Sequence, residues 1–579
     1  MSQISGAAAI LYALEEAGIT HLFVNLGSDH PAFLAAFASK EHNIEVFTSP
    51  NEMNALSAAS GFAQITGKPA GVLVHVECGT QGLAGAVHNV SKGRIPVVIL
   101  AGTVPVTMEG ELRGSRNEYI HWIQDVPDQR SILKMYMKYD HEIRCPHNAT
   151  QIVLRALQFA NTEPKGPTYL IASRETLEAD TVAANKASQV TGLNSAVESI
   201  GLSSAGVEHL ANALVEAEMP LIVTSYCGRS PAGFNALKAL AELLAIPVHE
   251  NAPIYNNFPT DSYLHQGHQW NGGGQLPALA EADVVLVIDS DVPWIGASSR
   301  PQDHARVFHL DSDPLKDSTT LWSLPCEKRW RVDSSLALQQ LHSFIVDSLS
   351  VDAAKVEARA GHLRGRYSQR TARFREAERF PKEGVTVPFV MERLRRACAG
   401  MSVVGLNEST TNLGNVADHL GHNTPLALIG SGGGSLGWYS GAAIGAFMGL
   451  QTQGRDDMLI AFTGDGTWLF GVPSCAYWMA KRYNTPFLTI IWNNGGWASP
   501  KNACLRLHGE LAGQKNLSND LRVALTPSPS FGKIAEGAGD AWWAVMEQAD
   551  QVDGLLKEAI RVVRQDKRCA LLEVKLNVI

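Results

Sequence analysis

Apolar runs of strand length, each closed by acid, amide or glycine, punctuate the chain. Residues 458–463 form one such run, partly β-branched, ending in Gly464-Asp465-Gly466; residues 486–492 form another and end in Asn493-Asn494, after a spacer of 26 residues. Ligands of open α/β sheets sit beyond the carboxyl ends of the strands, so the pattern predicts that both polar clusters meet at one edge. A carboxylate, an amide oxygen and a backbone carbonyl are hard donors of the kind Mg²⁺ accepts beside phosphate oxygens and water. On its own, Gly-Asp-Gly also reads as a tight turn between strand and helix.

Residues 1–185 alternate helical patterns at 7–17 and 31–39 with extended ones at 21–24, 70–76, 95–100 and 168–171. This predicts an α/β domain with a mainly parallel sheet. Its polar strand ends are Asn25-Leu26-Gly27-Ser28-Asp29-His30, Ser49-Pro50-Asn51-Glu52 and His75-Val76-Glu77-Cys78-Gly79-Thr80. A second α/β layer follows at 195–345, with helices at 206–217 and 234–244 and strands at 220–224, 246–249, 284–288 and 307–310. Arg- and Glu-rich residues 353–382 predict a solvated helix within a linker at 346–384. The third domain, 385–579, has strands at 402–406 and 426–430 besides the two already named.

Composition narrows the class. Hydrophobic and charged fractions of 45% and 18% in 579 residues describe a globular protein of several domains. A net charge of -9 argues against a broad nucleic-acid footprint. Eight cysteines without a Cys-x-x-Cys pair read as reduced intracellular thiols, and no signal peptide is evident, so a cytoplasmic location without membrane attachment is expected. Uncharged residues 423–454 hold too many glycines for a membrane span and predict a buried cofactor region.

Several motifs have two readings. In Ser49-Pro50-Asn51-Glu52, Ser49 can be an N-cap, Pro50 a first helical residue and Glu52 the partner in a capping box before a helix at 53–63. His75 can be a structural strand-end histidine, and Leu436 a core leucine. Gly432, Gly434 and Gly437 form a Gly-x-Gly-x-x-Gly, which makes a dinucleotide fold the rival interpretation. The ribose carboxylate of such a fold belongs at the end of the next strand, where Asp465 stands.

Together these motifs resemble the thiamine diphosphate (ThDP) enzymes of the benzoylformate decarboxylase, acetohydroxyacid synthase and pyruvate decarboxylase group. The resemblance covers essentially the whole chain and implies three doubly wound parallel-sheet domains: pyrimidine-binding, central and diphosphate-binding. It implies that Asp465, the Asn494 side chain and the Gly496 carbonyl bind Mg²⁺, with Gly464, Gly466 and Thr467 around the diphosphate. Glu52 would activate the aminopyrimidine, Gly434 would hold its amino group through a carbonyl, and Leu436 would wedge between the cofactor rings. Ser409 and Thr410 offer hydroxyls to phosphate or substrate. On the substrate side, His75 corresponds to a proton-transferring histidine and Ser28 to a carboxylate contact, with Asp29 and His30 as further pocket residues.

The implied activity is cleavage or decarboxylation of a 2-oxo acid through a carbanion-enamine intermediate, with aldehyde or keto acceptors in carboligation. Acetolactate synthase-like carboligation, a benzaldehyde lyase-like activity on 2-hydroxyketones, and a non-catalytic nucleotide-binding homologue are the alternatives. A site shared between subunits implies a dimer, or a dimer of dimers. FAD is not supported, since no Gly-x-Gly-x-x-Gly follows the central strands. Two departures stand out: the catalytic glutamate that yeast-like pyruvate decarboxylases carry after the paired asparagines aligns with Pro500, and their adjacent histidines are missing.

Overall fold

The computed structural model describes residues 3–40, 42–182 and 195–579. Met1, Ser2 and most of the passage expected between the first two domains lie outside the described residues. Three six-stranded sheets follow one another along the chain, each parallel throughout.

The first sheet contains β1 (His21–Val24), β2 (Glu45–Thr48), β3 (Ala70–Val74), β4 (Val97–Thr103), β5 (Tyr139–Ile143) and β6 (Thr168–Ser173), in the order β2-β1-β3-β4-β6-β5. The second contains β7 (Pro220–Thr224), β8 (Val248–Asn251), β9 (His265–Gln269), β10 (Val284–Ile288), β11 (Arg306–Asp311) and β12 (Lys328–Arg331), ordered β9-β8-β7-β10-β11-β12. The third contains β13 (Val403–Glu408), β14 (Leu428–Ile429), β15 (Met458–Gly464), β16 (Leu488–Asn493), β17 (Trp542–Met546) and β18 (Ala570–Lys575), ordered β14-β13-β15-β16-β18-β17. The first and third sheets thus share one strand order, while the second has the doubly wound order associated with dinucleotide folds. Inner strands such as β4 and β10 are apolar along their length because helices cover both faces.

Five helices organise the site. They are α1 (Glu52–Thr66), α2 (Val76–Gly82) and α3 (Ala86–Lys92) in the first unit, and α6 (Trp438–Thr452) and α7 (Asp465–Phe470) in the third; α4 (Ala353–Ala377) and α5 (Leu413–Leu420) lie between them, and α8 (Pro473–Arg482) follows α7. Helices α1 and α6 pack against each other so closely that the first and third units share one hydrophobic core, running from Phe23, Leu56 and Phe62 to Trp438, Ile444 and Trp468. Glycines permit the approach: a Cβ on Gly441 would stand 2.6 Å from the Asn54 carbonyl oxygen. Thus the second half of the uncharged stretch read as a buried cofactor region is this helix, and no helix among the described residues is long and apolar enough to cross a membrane.

Some local expectations shift. The cap of α1 is Asn51, whose side chain accepts the Asn54 N–H at 3.0 Å, so Ser49 and Pro50 stay outside the helix and Glu52 is its first residue. Strand β3 stops at Val74, two residues short of the expected end, because α2 begins at Val76. Strand β13 runs on through Asn407 and Glu408, two residues past the expected end at 406.

Candidate active site

In the strand order shared by the first and third sheets, the direction in which strands are added reverses between the first and third strands, and the crevice beyond their carboxyl ends is where ligands bind. In the first sheet these ends carry Asn25 to His30 after β1 and His75 after β3. Asp29 lies buried between two histidines. Its Oδ1 accepts from His75 Nδ1 at 2.6 Å, its Oδ2 accepts the Val76 N–H at 3.1 Å, and His30 Nε2 stands 3.1 Å away. Asp29 and His30 are therefore interior groups, 2% and 0% exposed, and not solvent-facing turn residues. Val76 holds its place at φ 28°, a strained value for a β-branched residue, directly beside His75.

The charges follow from this packing. Burial pushes the Asp29 carboxyl up, but His30 and His75 more than offset it and hold the group below the usual carboxylate range. Burial lowers His30 below its ordinary value, countered in part by Asp29. Burial also lowers His75, yet the Asp29 hydrogen bond and charge outweigh it and raise the imidazole above its ordinary value. His75 Nδ1 is thus committed to Asp29. The ring's Nε2 lies 3.0 Å from Gln124 Nε2, which donates to it when Nδ1 carries the ring's proton.

Glu52 sits on the same edge. Asn25 Nδ2 donates to its Oε1 at 2.8 Å, and α2 makes room for the carboxylate with glycines: a Cβ on Gly82 would meet Glu52 Oε2 at 2.6 Å, and one on Gly79 would meet Oε1 at 3.2 Å. Ser28 Oγ lies 3.5 Å from His121 Nε2. His121 and Gln124 come from residues 120–124, a short helical turn with no sequence signature, and were missed; only the polar spacing from Asn117 to Asp125 hinted at them.

In the third sheet the corresponding strand ends carry Ser409 and Asp465, and Asn493-Asn494 ends the neighbouring strand, since Gly464 pairs with Trp492 in register. Asp465 opens α7 and is 3% exposed; burial pushes its carboxyl up to about 6 against the pull of the Gly466, Gly496 and Gly495 N–H groups, so the two polar clusters do meet. The two asparagines diverge. Asn493 Nδ2 donates to Glu573 Oε1 at 2.6 Å behind the sheet edge, while Asn494 Oδ1 accepts the Gly496 N–H at 3.2 Å in front of it. The Gly496 carbonyl accepts from Ala498 N at 3.1 Å. Thr410 and Thr467 hydroxyls stand 3.5 Å apart.

Residues 430–437 bridge the two edges. Asn89 on α3 grips the Ser435 backbone from both sides, accepting its N–H at 3.0 Å and donating to its carbonyl at 2.9 Å. Gly437, at φ 87°, starts α6, and the first N–H groups of that helix are taken by Glu408: Trp438 N at 3.1 Å and Tyr439 N at 2.9 Å. Burial pushes Glu408 up to about 8 against those donors. Glu408 was not anticipated. Its presence answers the dinucleotide reading, because the helix end that would receive a pyrophosphate is filled by a carboxylate. Leu436 is half-buried and Gly434 exposed, so neither belongs to the core.

Comparison with known proteins agrees with this layout. Residues 4–132 match the model for the thiamine pyrophosphate enzyme N-terminal TPP binding domain, and residues 410–574 match that for the C-terminal TPP binding domain. The chain belongs to the thiamine pyrophosphate enzyme family. It is 24% identical to the acetolactate synthase of Bacillus subtilis (strain 168) over 513 residues, covering 84% of this chain and 81% of that one. It is 25% identical to the benzoylformate decarboxylase of Pseudomonas aeruginosa over 495 residues, covering 83% and 84%. The crystal structure of benzoylformate decarboxylase from Polynucleobacter necessarius superposes with a TM-score of 0.78 over 100% of both chains at 18% identity, a likeness of fold.

For a thiamine pyrophosphate enzyme, the contact between the two edges matters most. Asn54, two residues after Glu52, donates to the Gly471 and Val472 carbonyls at 3.4 Å, and Val472 adopts φ 48° to start α8. The Cys475 thiol on α8 is raised by burial and by the Glu52 charge. Within a single chain, therefore, Glu52 faces the segment that follows the Asp465 helix.

Proposed function

We propose that the protein is a ThDP- and Mg²⁺-dependent 2-oxo acid decarboxylase or carboligase in which His75 manages protons at the reacting carbon. The observation that carries this reading is the hydrogen bond from His75 to buried Asp29 on the same sheet edge as Glu52. When bound, ThDP supplies the electron sink that a 2-oxo acid needs in order to lose CO₂.

The donor set suits the cofactor and its metal. Asp465 Oδ2 and Ser409 Oγ are buried without a hydrogen-bond partner among the described residues, and each represents a desolvation cost that a cation or phosphate would relieve. Asp465, the Asn494 amide and the Gly496 carbonyl would hold Mg²⁺, and Ser409, Thr410 and Thr467 would face the diphosphate. Glu52, oriented by Asn25, would share a proton with the pyrimidine, with Gly434 and Leu436 against the same ring. Asp29 fixes which His75 nitrogen faces the crevice, and Ser28 with His121 offers polar contacts to a carboxylate. Exposed Tyr119, Ile123 and Met135, at 81%, 74% and 87%, support self-association into a dimer or tetramer.

The test offers the purified protein, with ThDP and Mg²⁺, a panel of 2-oxo acids with and without aldehydes, and identifies products by mass spectrometry. His75→Ala should lower aldehyde release and raise the share captured as hydroxyketone, since loss of acid-base assistance costs about 10²- to 10⁴-fold in the protonation step. An unchanged product ratio with both rates reduced would leave His75 a packing residue. It would favour the acetolactate synthase-like alternative, which needs no such histidine.

A further inference from the structure

Between the second and third units lies a buried group of histidines and carboxylates that the site above does not use. Glu250 closes β8, His265 and His268 stand on β9, and Asp418 and His422 come from α5 and the loop after it. Three residues apart on a regular strand, His265 and His268 would face opposite sides. A register shift beside Gly267, at φ 105°, turns both toward Glu250 and brings their ring centroids to 4.7 Å. His265 Nε2 donates to Glu250 Oε1 at 3.1 Å, and His268 Nε2 is 3.4 Å from the same oxygen. The other oxygen, Oε2, is held by Asn257 through its N–H at 2.9 Å and its amide at 2.6 Å.

The orientation of His268 is informative. Its Nδ1 donates to Asp418 Oδ1 at 2.8 Å, so in the neutral ring the Nε2 lone pair faces Glu250. A carboxylate behind an imidazole is the arrangement that orients metal-binding histidines. Both ring nitrogens of His422 are buried without a partner among the described residues, as is His268 Nε2. One ligand atom from each of Glu250, His268 and His422 lies within 4.8 Å of the other two. Tetrahedral zinc with bonds of about 2.0–2.1 Å needs ligand separations of about 3.4 Å, so the set closes with shifts on the order of 1 Å. A cleft of about 550 Å³ lined by His265, His268, Arg370 and Asp418 gives a path of entry.

We infer that Glu250, His268 and His422 bind a borderline divalent cation, Zn²⁺ by preference, that clamps the second unit to the third, with Asp418 as the positioning residue behind His268. Imidazole and carboxylate together suit zinc better than Mg²⁺, which takes oxygen ligands. The competing arrangement is a doubly protonated His268 bridging Glu250 and Asp418, which requires no metal and leaves both His422 nitrogens unpaired.

The experiment strips the full-length protein with chelator, adds one equivalent of Zn²⁺ or Co²⁺, and reads retained metal by elemental analysis after desalting. The expected result is about one retained equivalent, a rise in melting temperature, and visible ligand-field absorption of tetrahedral Co²⁺ with no thiolate charge-transfer band. Glu250→Gln and His422→Ala should abolish retention, Asp418→Asn should weaken it about 10- to 100-fold, and Asp465→Ala should leave it intact. Should the buried substitutions prevent folding, the wild-type cobalt spectrum decides alone. No retained metal, a thiolate spectrum, or retention that survives Glu250→Gln would overturn the assignment.

Discussion

Glycine at the α1/α6 crossing sets the distance between the first and third units of the chain, and one methyl group tests this. A Cβ on Gly445 would lie 2.6 Å from the Ala58 carbonyl carbon and 2.9 Å from Phe62 N, and would overlap the Ala58 oxygen. Relaxed contacts between carbons need about 3.5–4.0 Å, so Gly445→Ala must part the helices by about 1 Å. Every obstacle is backbone, so no rotamer change relieves the clash. Overpacking costs about 1–3 kcal/mol, with this geometry at the upper end, and alanine's helix propensity returns about 1 kcal/mol. The net loss is about 2 kcal/mol, or about 2–3 °C in the melting transition of the two units that share the core.

The control is the same change at Gly361 on α4, where an added Cβ meets nothing within 4 Å. Only propensity acts there, and Gly361→Ala should gain about 1 kcal/mol. Calorimetry of both variants therefore reads opposite signs for one chemical substitution. Because α1 begins at Glu52 and α6 follows the 434–437 loop, Gly445→Ala should also weaken ThDP binding, measured by tryptophan quenching. A Gly445→Ala protein as stable as Gly361→Ala, with unchanged ThDP affinity, would refute the idea that the crossing spaces the site.

Asp465→Ala should purify without ThDP even when Mg²⁺ is supplied, because the metal loses its one charged ligand; cofactor content by absorbance checks this. Glu52→Gln should retain ThDP yet slow exchange of its C2 proton by about 10²-fold or more, read by NMR; Asn51 and not Glu52 caps α1, so the stability loss should stay within about 1 kcal/mol. Asp29→Asn removes what holds His75 above its ordinary pKa and leaves the lowering effect of burial, so the imidazole titration followed by NMR should move to lower pH. The Asp29–His75 pair stabilises the fold between two limits: it is lost as pH falls through the depressed Asp29 value, and again as pH rises through the raised His75 value. The stability gap between wild type and Asp29→Asn should therefore be widest in mildly acidic to neutral solution and narrow on either side.

Most inner strands were legible because burial on both faces writes them as apolar runs; 21–24, 220–224 and 284–288 were read with the bounds the structure has, while inner strand 570–575 went unread. Edge strands such as Glu45–Thr48, Tyr139–Ile143 and Lys328–Arg331 were not read, since half-covered edges carry charge and lose the pattern. The clustering of Asp465 with the 493–496 segment could be read because acid, amide and glycine close both strands. The burial of Asp29 and His30 could not, because turn residues and interior ion pairs have the same composition. His121, Gln124 and Glu408 act from positions that only tertiary packing selects.

Glu408 shows what that packing adds. Helix α6 starts at a glycine that offers no side chain to its free N–H groups, and those groups are buried. The acid ending β13 supplies the cap from a neighbouring strand, which ties the start of α6 to the strand end that also carries Ser409. Asn89 of the first unit holds Ser435 at the other end of the same short loop. Leu436 is thereby fixed between two anchors, one from each half of the site, before any cofactor arrives. The position of Leu436 is thus a property of the assembled units, and a sequence motif at 434–437 alone could not have determined it.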